Sequence, residues 1–288
     1  MYVRLNFFII IMIILLICSL NFIFIDILYY RDGRLNIDNF KKIEYPKNIR
    51  VAVCYSGQLR EGFYQVLNLH KFFIIDALKA DVFCYFEDTD DEIIKSDVIN
   101  LLKPKEIIFE SKESNTPDKI NNVNYGTISM YKKIYMSNLL RKKYEQENNF
   151  NYDYIIRIRP DLVIKEYLPK YIFTENNDIN LYIPSDKINN SLRPEMCADW
   201  MAIGKNYSMD IYSNMYNYLI NNKNNKCNIP EKMMYKYIVD NKLNYIPLYD
   251  FFEFPFCIYR FKFDNIDNFI SQISYHISLY DRYFNNEC

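Results

Sequence analysis

Residues 50–86 read RVAVCYSGQLREGFYQVLNLHKFFIIDALKADVFCYF, and they give the strongest indication of the fold. The stretch begins with an apolar run at 50–55, continues as an amphipathic segment at 63–80, and ends with a second apolar run at 81–86. Short apolar runs of this kind predict strands, and the segment between them predicts a helix. Two strands joined by a helix form a βαβ unit, whose strands lie parallel in one sheet.

The same alternation continues along the chain. We predict a helix at 93–102, a strand at 106–109, a long helix at 126–144 and a strand at 154–158. This repeated order predicts an α/β fold with a Rossmann-type, mostly parallel sheet flanked by helices on both faces. In such sheets, ligands bind beyond the carboxyl ends of the strands, so candidate site residues are sought there.

The amino end predicts a membrane segment. Residues 5–25 contain no charged side chain and are mostly apolar. About 20 apolar residues in a helix span the hydrocarbon core of a bilayer. The alternative is a cleaved signal peptide. However, the run is longer than the apolar region of such a peptide, and it lacks a cleavage site of small residues. We therefore predict one N-terminal transmembrane helix, a signal-anchor at residues 1–28, in a single-pass membrane protein.

The remaining chain divides where its composition changes. Residues 29–48 are polar and predict a linker or stem, whereas residues 49–250 contain the strand and helix series. Residues 251–288 are rich in Phe and Tyr, and apolar groups keep helical spacing from Ile266 to Tyr280. This spacing predicts an amphipathic C-terminal segment packed on the domain, with the membrane surface as the alternative partner.

Composition excludes several classes of function. The chain has 35 Lys and Arg against 36 Asp and Glu, a net charge of −1, so we predict no nucleic-acid partner. His70 and His276 are the two histidines, and neither adjoins a polar motif, which excludes histidine catalysis or a His-rich zinc site. Cys54 and Cys84 fall in predicted strands, where buried thiols are expected, and no CxxC spacing occurs.

The segment after the first strand, YSGQLREG at 55–62, has the chemistry of an anion site. Backbone N–H groups at a tight glycine turn can face phosphate oxygens, and an arginine adds a bidentate contact. The segment matches neither GxGxxG nor GxxxxGK[ST], so no dinucleotide or P-loop site is predicted. A purely structural turn is the alternative. The candidate ligand-binding residues here are Ser56, Gly57, Gln58 and Arg60.

A second candidate segment is YDYIIRIRPDL at 152–162. Arg157 and Arg159 alternate along the predicted strand, so both side chains face the same side of the sheet. Buried guanidiniums need anions, which are either structural carboxylates or phosphates of a ligand. Asp161 follows at the end of the strand, where a carboxylate can hold a divalent cation that bridges the same phosphates.

Two acidic residues downstream are candidate general bases. Asp199 precedes an apolar run, and its neighbour Trp200 can stack on a sugar ring or pack in the core. Glu231 follows Pro230 at the start of a predicted helix, where an acidic residue also complements the helix dipole. Either Asp199 or Glu231 can deprotonate an acceptor hydroxyl, and the sequence does not choose between them.

A literal Asp-x-Asp pattern occurs earlier, at Asp88-Thr89-Asp90 within EDTDDE. It directly precedes the helix predicted at 93–102. Aspartates at such a position cap the helix and complement its dipole. We therefore predict capping for this stretch rather than metal binding.

Four motifs over residues 50–250 together resemble a group of nucleotide-sugar glycosyltransferases with a GT-A-like fold. They are VAVCYSGQLR at 51–60, RKKYE at 141–145, YDYIIRIRPDL at 152–162 and DWMAIG at 199–204. The resemblance implies that the 56–60 loop lies near the nucleotide diphosphate and that 199–204 lies on the acceptor side. It gives Asp161 the role of the metal-binding acidic motif, with Mn²⁺ or Mg²⁺. This chain has Arg-Pro-Asp where those enzymes have Asp-x-Asp, so metal dependence stays open.

The expected function is membrane-anchored transfer of a hexose-type sugar from a nucleotide-diphosphate sugar to a hydroxyl of a glycan or glycoprotein. The resemblance implies a body in the lumen of the secretory pathway, although the basic residues after the span do not favour that orientation. The sequons at Asn189 and Asn206 would be modified only there. The alternative is a catalytically inactive, membrane-tethered carbohydrate-binding or interaction domain of the same fold.

Overall fold

The computed structural model describes residues 43–60, 63–111, 117, 119–120, 122–164, 167–174, 178–184, 187–188, 191–192, 197–222, 227–248 and 256–258. The predicted anchor at 1–28 and the amphipathic spacing at 266–280 lie outside these residues. Among the described residues, no helix combines the length and the apolarity needed to cross a bilayer.

The chain forms thirteen strands and six α-helices in its described part. The strands are β1 (Val51–Gly57), β2 (Asp81–Glu87), β3 (Glu106–Glu110), β4 (Lys119–Ile120), β5 (Val123–Asn124), β6 (Tyr154–Ile158), β7 (Leu162–Ile164), β8 (Asn180–Pro184), β9 (Lys187–Ile188), β10 (Ser191–Leu192), β11 (Met201–Lys205), β12 (Asn244–Leu248) and β13 (Phe256–Ile258). The helices are α1 (Phe63–His70), α2 (Glu92–Leu102), α3 (Tyr125–Asn148), α4 (Asn206–Ser213), α5 (Met215–Asn221) and α6 (Pro230–Asp240). A π-helical turn, Lys71–Ile75, and a last α-turn, Asp76–Leu78, extend α1.

Seven strands form the main sheet in the order β12-β8-β11-β6-β1-β2-β3. The half made of β6, β1, β2 and β3 is parallel, as is the pair β12 and β8. Strand β11 runs antiparallel to both of its neighbours, β6 and β8. The predicted α/β fold with a mostly parallel sheet flanked by helices is confirmed, and the strands and helices predicted up to β6 lie close to their expected bounds.

The centre of the sheet is buried on both faces. Strands β1, β2 and β6 are apolar runs in which nearly every side chain is buried, as expected for parallel strands covered by helices. Helix α3 packs across β1 and β2. Strand β13, within the aromatic-rich segment at 251–288, pairs antiparallel with β7 directly after Asp161.

A buried ion-pair network joins α3 to α4. Arg141 is fully buried and donates to Glu145 Oε2 at 2.6 Å and to Asn206 Oδ1 at 3.0 Å. Its other nitrogens donate to Asn138 Oδ1, at 3.0 Å, and to Asp210 Oδ1. Because each charge has an opposite partner, the network ties the two helices together without an unpaired buried ion.

The same network involves one of the two sequons. Asn206 Nδ2 donates to Glu145 Oε1 at 2.8 Å. The side chain of this sequon is therefore part of the network that joins α3 to α4.

His70 packs in the core. Its side chain is fully buried, Nε2 donates to the Leu162 carbonyl oxygen, and the ring stacks on Tyr55 at a centroid distance of 5.7 Å. Burial lowers the pKa of His70 to about 4. His70 is therefore neutral in the folded protein at physiological pH.

We expect His70 to make stability depend on pH between about 4 and 6.5. An unfolded histidine titrates near pH 6.5, so in this window the unfolded state binds a proton that the folded state does not. The contribution of neutral His70 to the free energy of unfolding is therefore complete above about pH 6.5 and is lost as the pH falls towards 4. From pH 7 to 4.5 the wild type should lose about 2–3 kcal/mol more unfolding free energy than His70→Gln, measured by urea denaturation. Equal losses in both proteins would contradict this expectation.

Candidate functional site

The carboxyl ends of β1, β2 and β6 meet at one edge of the sheet and border a cavity of about 240 Å³. An adjoining open cleft of about 750 Å³ shares residues 58, 60 and 87 with it and is otherwise lined mainly by the acidic segment 88–92. The structure brings together around the smaller cavity all six residues predicted to bind the donor: Ser56, Gly57, Gln58, Arg60, Arg157 and Arg159.

Gly57 ends β1 in a backbone conformation that favours glycine. Its φ is +140°, a conformation that side-chain-bearing residues rarely adopt. A Cβ at this position would also lie 3.4 Å from Pro160 Cδ. The positive φ is therefore the reason for a glycine at this position, which lies next to Pro160 at the end of β6.

Arg157 links the β1 loop to the chain before β11. It is 1% exposed, and its Nε donates to Ser56 Oγ at 3.0 Å. One Nη donates to the backbone oxygen of Asp199. Burial lowers the pKa of Arg157, but a guanidinium stays charged at neutral pH. The buried cation is thereby fixed at the cavity wall by two neutral acceptors.

Arg159 forms a two-point ion pair with Asp161. Its Nε and Nη2 donate to Asp161 Oδ1 at 2.8 Å and Oδ2 at 2.7 Å. Arg60 approaches from the β1 loop, with Nε 3.4 Å from Asp161 Oδ2. The Arg60 side chain is 40% exposed, whereas that of Asp161 is 3% exposed. One buried carboxylate thus orients two arginines that line the cavity.

The hydrogen bonds and ion pairs of Asp161 bear on whether its carboxylate can bind the expected divalent cation. Both carboxylate oxygens already accept from guanidiniums, which compete with a metal for the same lone pairs. Within the described part of the chain, no group of three or more His, Cys, Asp or Glu side chains is arranged to hold a metal ion. The donor set around Asp161 fits a counter-ion of Arg60 and Arg159 and does not fit a metal ligand.

Asp199 and Trp200 lie beside the arginines. Asp199 is 8% exposed, with Oδ2 4.0 Å from Arg159 Nη1. The backbone N–H of Arg159 donates to the Trp200 carbonyl oxygen at 3.0 Å, and the Trp200 side chain is half-buried. Glu231 lies in the first turn of α6, and neither Glu231 nor Asp199 is among the described residues that line the cavity. Of the two candidate bases, Asp199 is therefore the one adjacent to the arginines.

Lys133 also lines the cavity, although the sequence reasoning did not select it. It is 4% exposed, and its Nζ donates to Ser129 Oγ and lies 3.3 Å from Glu87 Oε2. Gly126, Ser129, Met130 and Lys133 all border the cavity and follow the i, i+3, i+4, i+7 spacing of one helical face. This spacing on one helical face was the sequence feature that could have identified Lys133. It was not decisive, because lysine is abundant in this chain and lysine side chains are usually exposed to solvent.

The Asp-x-Asp stretch serves α2, as predicted. The cap itself is the next residue, Asp91, whose Oδ1 accepts from the N–H groups of Ile93 at 2.8 Å and Ile94 at 3.3 Å. Asp88 pairs with Lys95 at 2.9 Å. These carboxylates therefore have local structural roles.

No protein-family model and no curated protein matches the chain. Among solved structures, the chain is similar to the apo form of the glycosyltransferase GlyE of Streptococcus pneumoniae TIGR4, with a TM-score of 0.41 and 10% sequence identity. The match covers 69% of this chain and 45% of that one, so the chain spans less than half the length of GlyE. A likeness at this level assigns no family.

Proposed function

We propose that the protein is a membrane-anchored glycosyltransferase of the GT-A-like type. It would transfer a sugar from a nucleotide-diphosphate sugar to a hydroxyl of a glycan or glycoprotein. The observation that carries the proposal is the clustering of the Ser56–Arg60 loop with Arg157 and Arg159 around one cavity at the carboxyl ends of parallel strands. Anionic ligands are expected at this edge of such a sheet, and arginines suit the oxygens of a diphosphate.

The arginines would contribute most of the rate enhancement. When the glycosidic bond breaks, negative charge develops on the departing diphosphate. Arg157 is fixed before the reaction by Ser56 and by the backbone of Asp199, and Arg159 is fixed by Asp161. Fixed positive groups in a partly buried site stabilise developing charge without having to reorganise.

Asp199 is our choice for the base that accepts the proton of the acceptor hydroxyl. It lies next to Arg159, whereas Glu231 belongs to the first turn of α6. The neighbouring Trp200 would then contact the acceptor, since an indole ring packs on the apolar face of a sugar.

The choice of base is tested by two isosteric amide variants. Asp199→Asn should lower kcat by about 100-fold, with little change in KM for the donor, because it removes proton transfer from an otherwise intact site. Glu231→Gln should keep kcat within about threefold of the wild type. Steady-state kinetics with one donor and acceptor pair would measure both variants. The opposite pattern would transfer the role to Glu231.

The function itself is tested by a donor screen on the full chain. Purified protein would be incubated with a panel of nucleotide sugars, with and without MnCl₂, and binding and slow donor hydrolysis would be followed. We expect one class of donor to bind and to be hydrolysed. Failure of every donor to bind would favour the inactive carbohydrate-binding or interaction domain, for which the Arg159–Asp161 pair would be purely structural.

Location is part of the proposal. The signal-anchor at 1–28 would hold the catalytic body at a membrane, in the lumen of the secretory pathway. Protease protection of the full chain in sealed microsomes would test this placement. Digestion of the body without detergent would place it on the cytoplasmic side.

A further inference from the structure

We propose that this cavity binds a diphosphate without a divalent cation, and that Asp161 is a positioning residue for Arg60 and Arg159. The identification of that diphosphate with the one in a nucleotide sugar rests on the function proposed above. The binding chemistry itself follows from the side chains that line the cavity.

Asp161 is the carboxylate that a metal at this site would need as a ligand. Asp161 is 2% exposed and receives two hydrogen bonds from Arg159, at 2.8 and 2.7 Å, and one ion pair from Arg60, at 3.4 Å. Two guanidiniums on one carboxylate leave a net positive charge around it. A divalent cation would have to displace them and would be repelled by both. Asp161 therefore holds the arginines in place, and each of its oxygens is already engaged by a guanidinium.

Cationic side chains of the protein supply the positive charge that a metal would otherwise bring to the diphosphate. Arg60, Lys133, Arg157 and Arg159 line the cavity, and Lys133 and Arg157 are almost completely buried. Four carboxylates contact these cations, those of Glu87, Glu110, Asp161 and Asp199. Among the described residues that line the cavity itself, the four cations stand beside one carboxylate, Glu87.

Helix α3 adds to this field. Tyr125, Gly126 and Ser129, in the first turns of the 24-residue helix, border the same cavity as the arginines. The N-terminus of a helix carries a partial positive charge and N–H groups that can face an anion. Gly126 has no side chain, so the cavity extends to this first turn.

The test uses pyrophosphate as the probe, because it presents the diphosphate without a nucleoside or a sugar. The full chain would be titrated by calorimetry in excess EDTA and, separately, in MgCl₂. We expect binding in EDTA with an affinity within about threefold of that in MgCl₂. Binding in MgCl₂ alone, or an affinity at least about tenfold higher there, would overturn the inference. Absence of binding in both solutions would overturn it as well.

Two variants show whether the bound pyrophosphate occupies this cavity. Lys133→Met should weaken binding by about tenfold in both solutions, since it removes a buried charged contact. Lys143→Met is the matched control, because Lys143 lies on the same helix with a side chain that is 60% exposed. Arg60→Gln changes a side chain that is 40% exposed and should weaken binding without affecting folding. Unchanged affinity in both Lys133→Met and Arg60→Gln would contradict the assigned site.

Asp161→Asn distinguishes a positioning residue from a metal ligand. A positioning role predicts that the ratio of the affinities in MgCl₂ and EDTA stays near one in both wild type and variant. A metal ligand predicts a large ratio in the wild type that collapses in the variant. Pyrophosphate binding in EDTA with no response to any nucleotide sugar would refute the proposed function alone. Turnover that strictly requires a metal would refute this inference alone.

Discussion

Arg141→Met should destabilise the folded protein by about 3–5 kcal/mol. Arg141 is fully buried between α3 and α4 and balances the carboxylates of Glu145 and Asp210. The shorter apolar side chain leaves Glu145 buried at 5% exposure, with its charge uncompensated. Removing one partner of a buried ion pair costs more than the pair contributes, because the remaining charge cannot regain its hydration.

The measurement is the free energy of unfolding from urea denaturation, supported by the melting temperature, which should fall by about 10 °C. Lys143→Met is the matched control. It makes the same kind of change two residues away, in an exposed i,i+4 pair with Glu147 at 3.8 Å. That pair is expected to contribute less than about 0.5 kcal/mol. Similar effects of the two substitutions would show that burial does not set the strength of the Arg141 network.

Arg157→Gln should lower kcat for sugar transfer by about 1000-fold, which corresponds to about 4 kcal/mol of transition-state stabilisation. Arg157 is the most deeply buried arginine at the cavity, so its charge acts where water screens it least. Glutamine retains a donor that can reach Ser56 or the Asp199 backbone oxygen, which limits the cost to folding. The loss should therefore appear in catalysis more than in stability.

Steady-state kinetics and thermal denaturation of the same preparation would separate the two effects. Arg50→Gln is the control, since Arg50 lies at the opposite end of β1, where its guanidinium stacks over Phe150 at 4.7 Å. We expect its kcat to stay within about twofold of the wild type. If Arg157→Gln kept near-normal turnover at normal stability, the guanidinium would have only a structural role.

The arginine pair shows how far local sequence reasoning reached. Alternation along a strand placed Arg157 and Arg159 on one side of the sheet, and both meet Asp199 in the structure. The same reasoning left open whether their anions were carboxylates or phosphates. The structure shows a carboxylate partner, Asp161, for Arg159. Binding of phosphates in the cavity that Arg159 lines stays a proposal.

The burial of Lys133 and Arg141 and the identity of their partners could not be predicted from local sequence. Both lie on the buried side of α3, at 4% and 0% exposure, although charged residues at helical positions usually face solvent. Their partners Glu87 and Asp210 are 46 and 69 residues away in the chain. No local pattern encodes which distant carboxylate will meet which lysine or arginine.

Local order in the chain was enough to predict the main strands and helices up to β6, and the sheet edge where the candidate site was sought, because hydrophobic periodicity depends on neighbours a few residues apart. Three features required the folded chain: the choice between Asp199 and Glu231, the position of Lys133, and the pairing of Asp161 with Arg60 and Arg159. These features depend on which distant side chains come within a few ångströms, and electrostatic partners are fixed by that proximity rather than by spacing along the sequence.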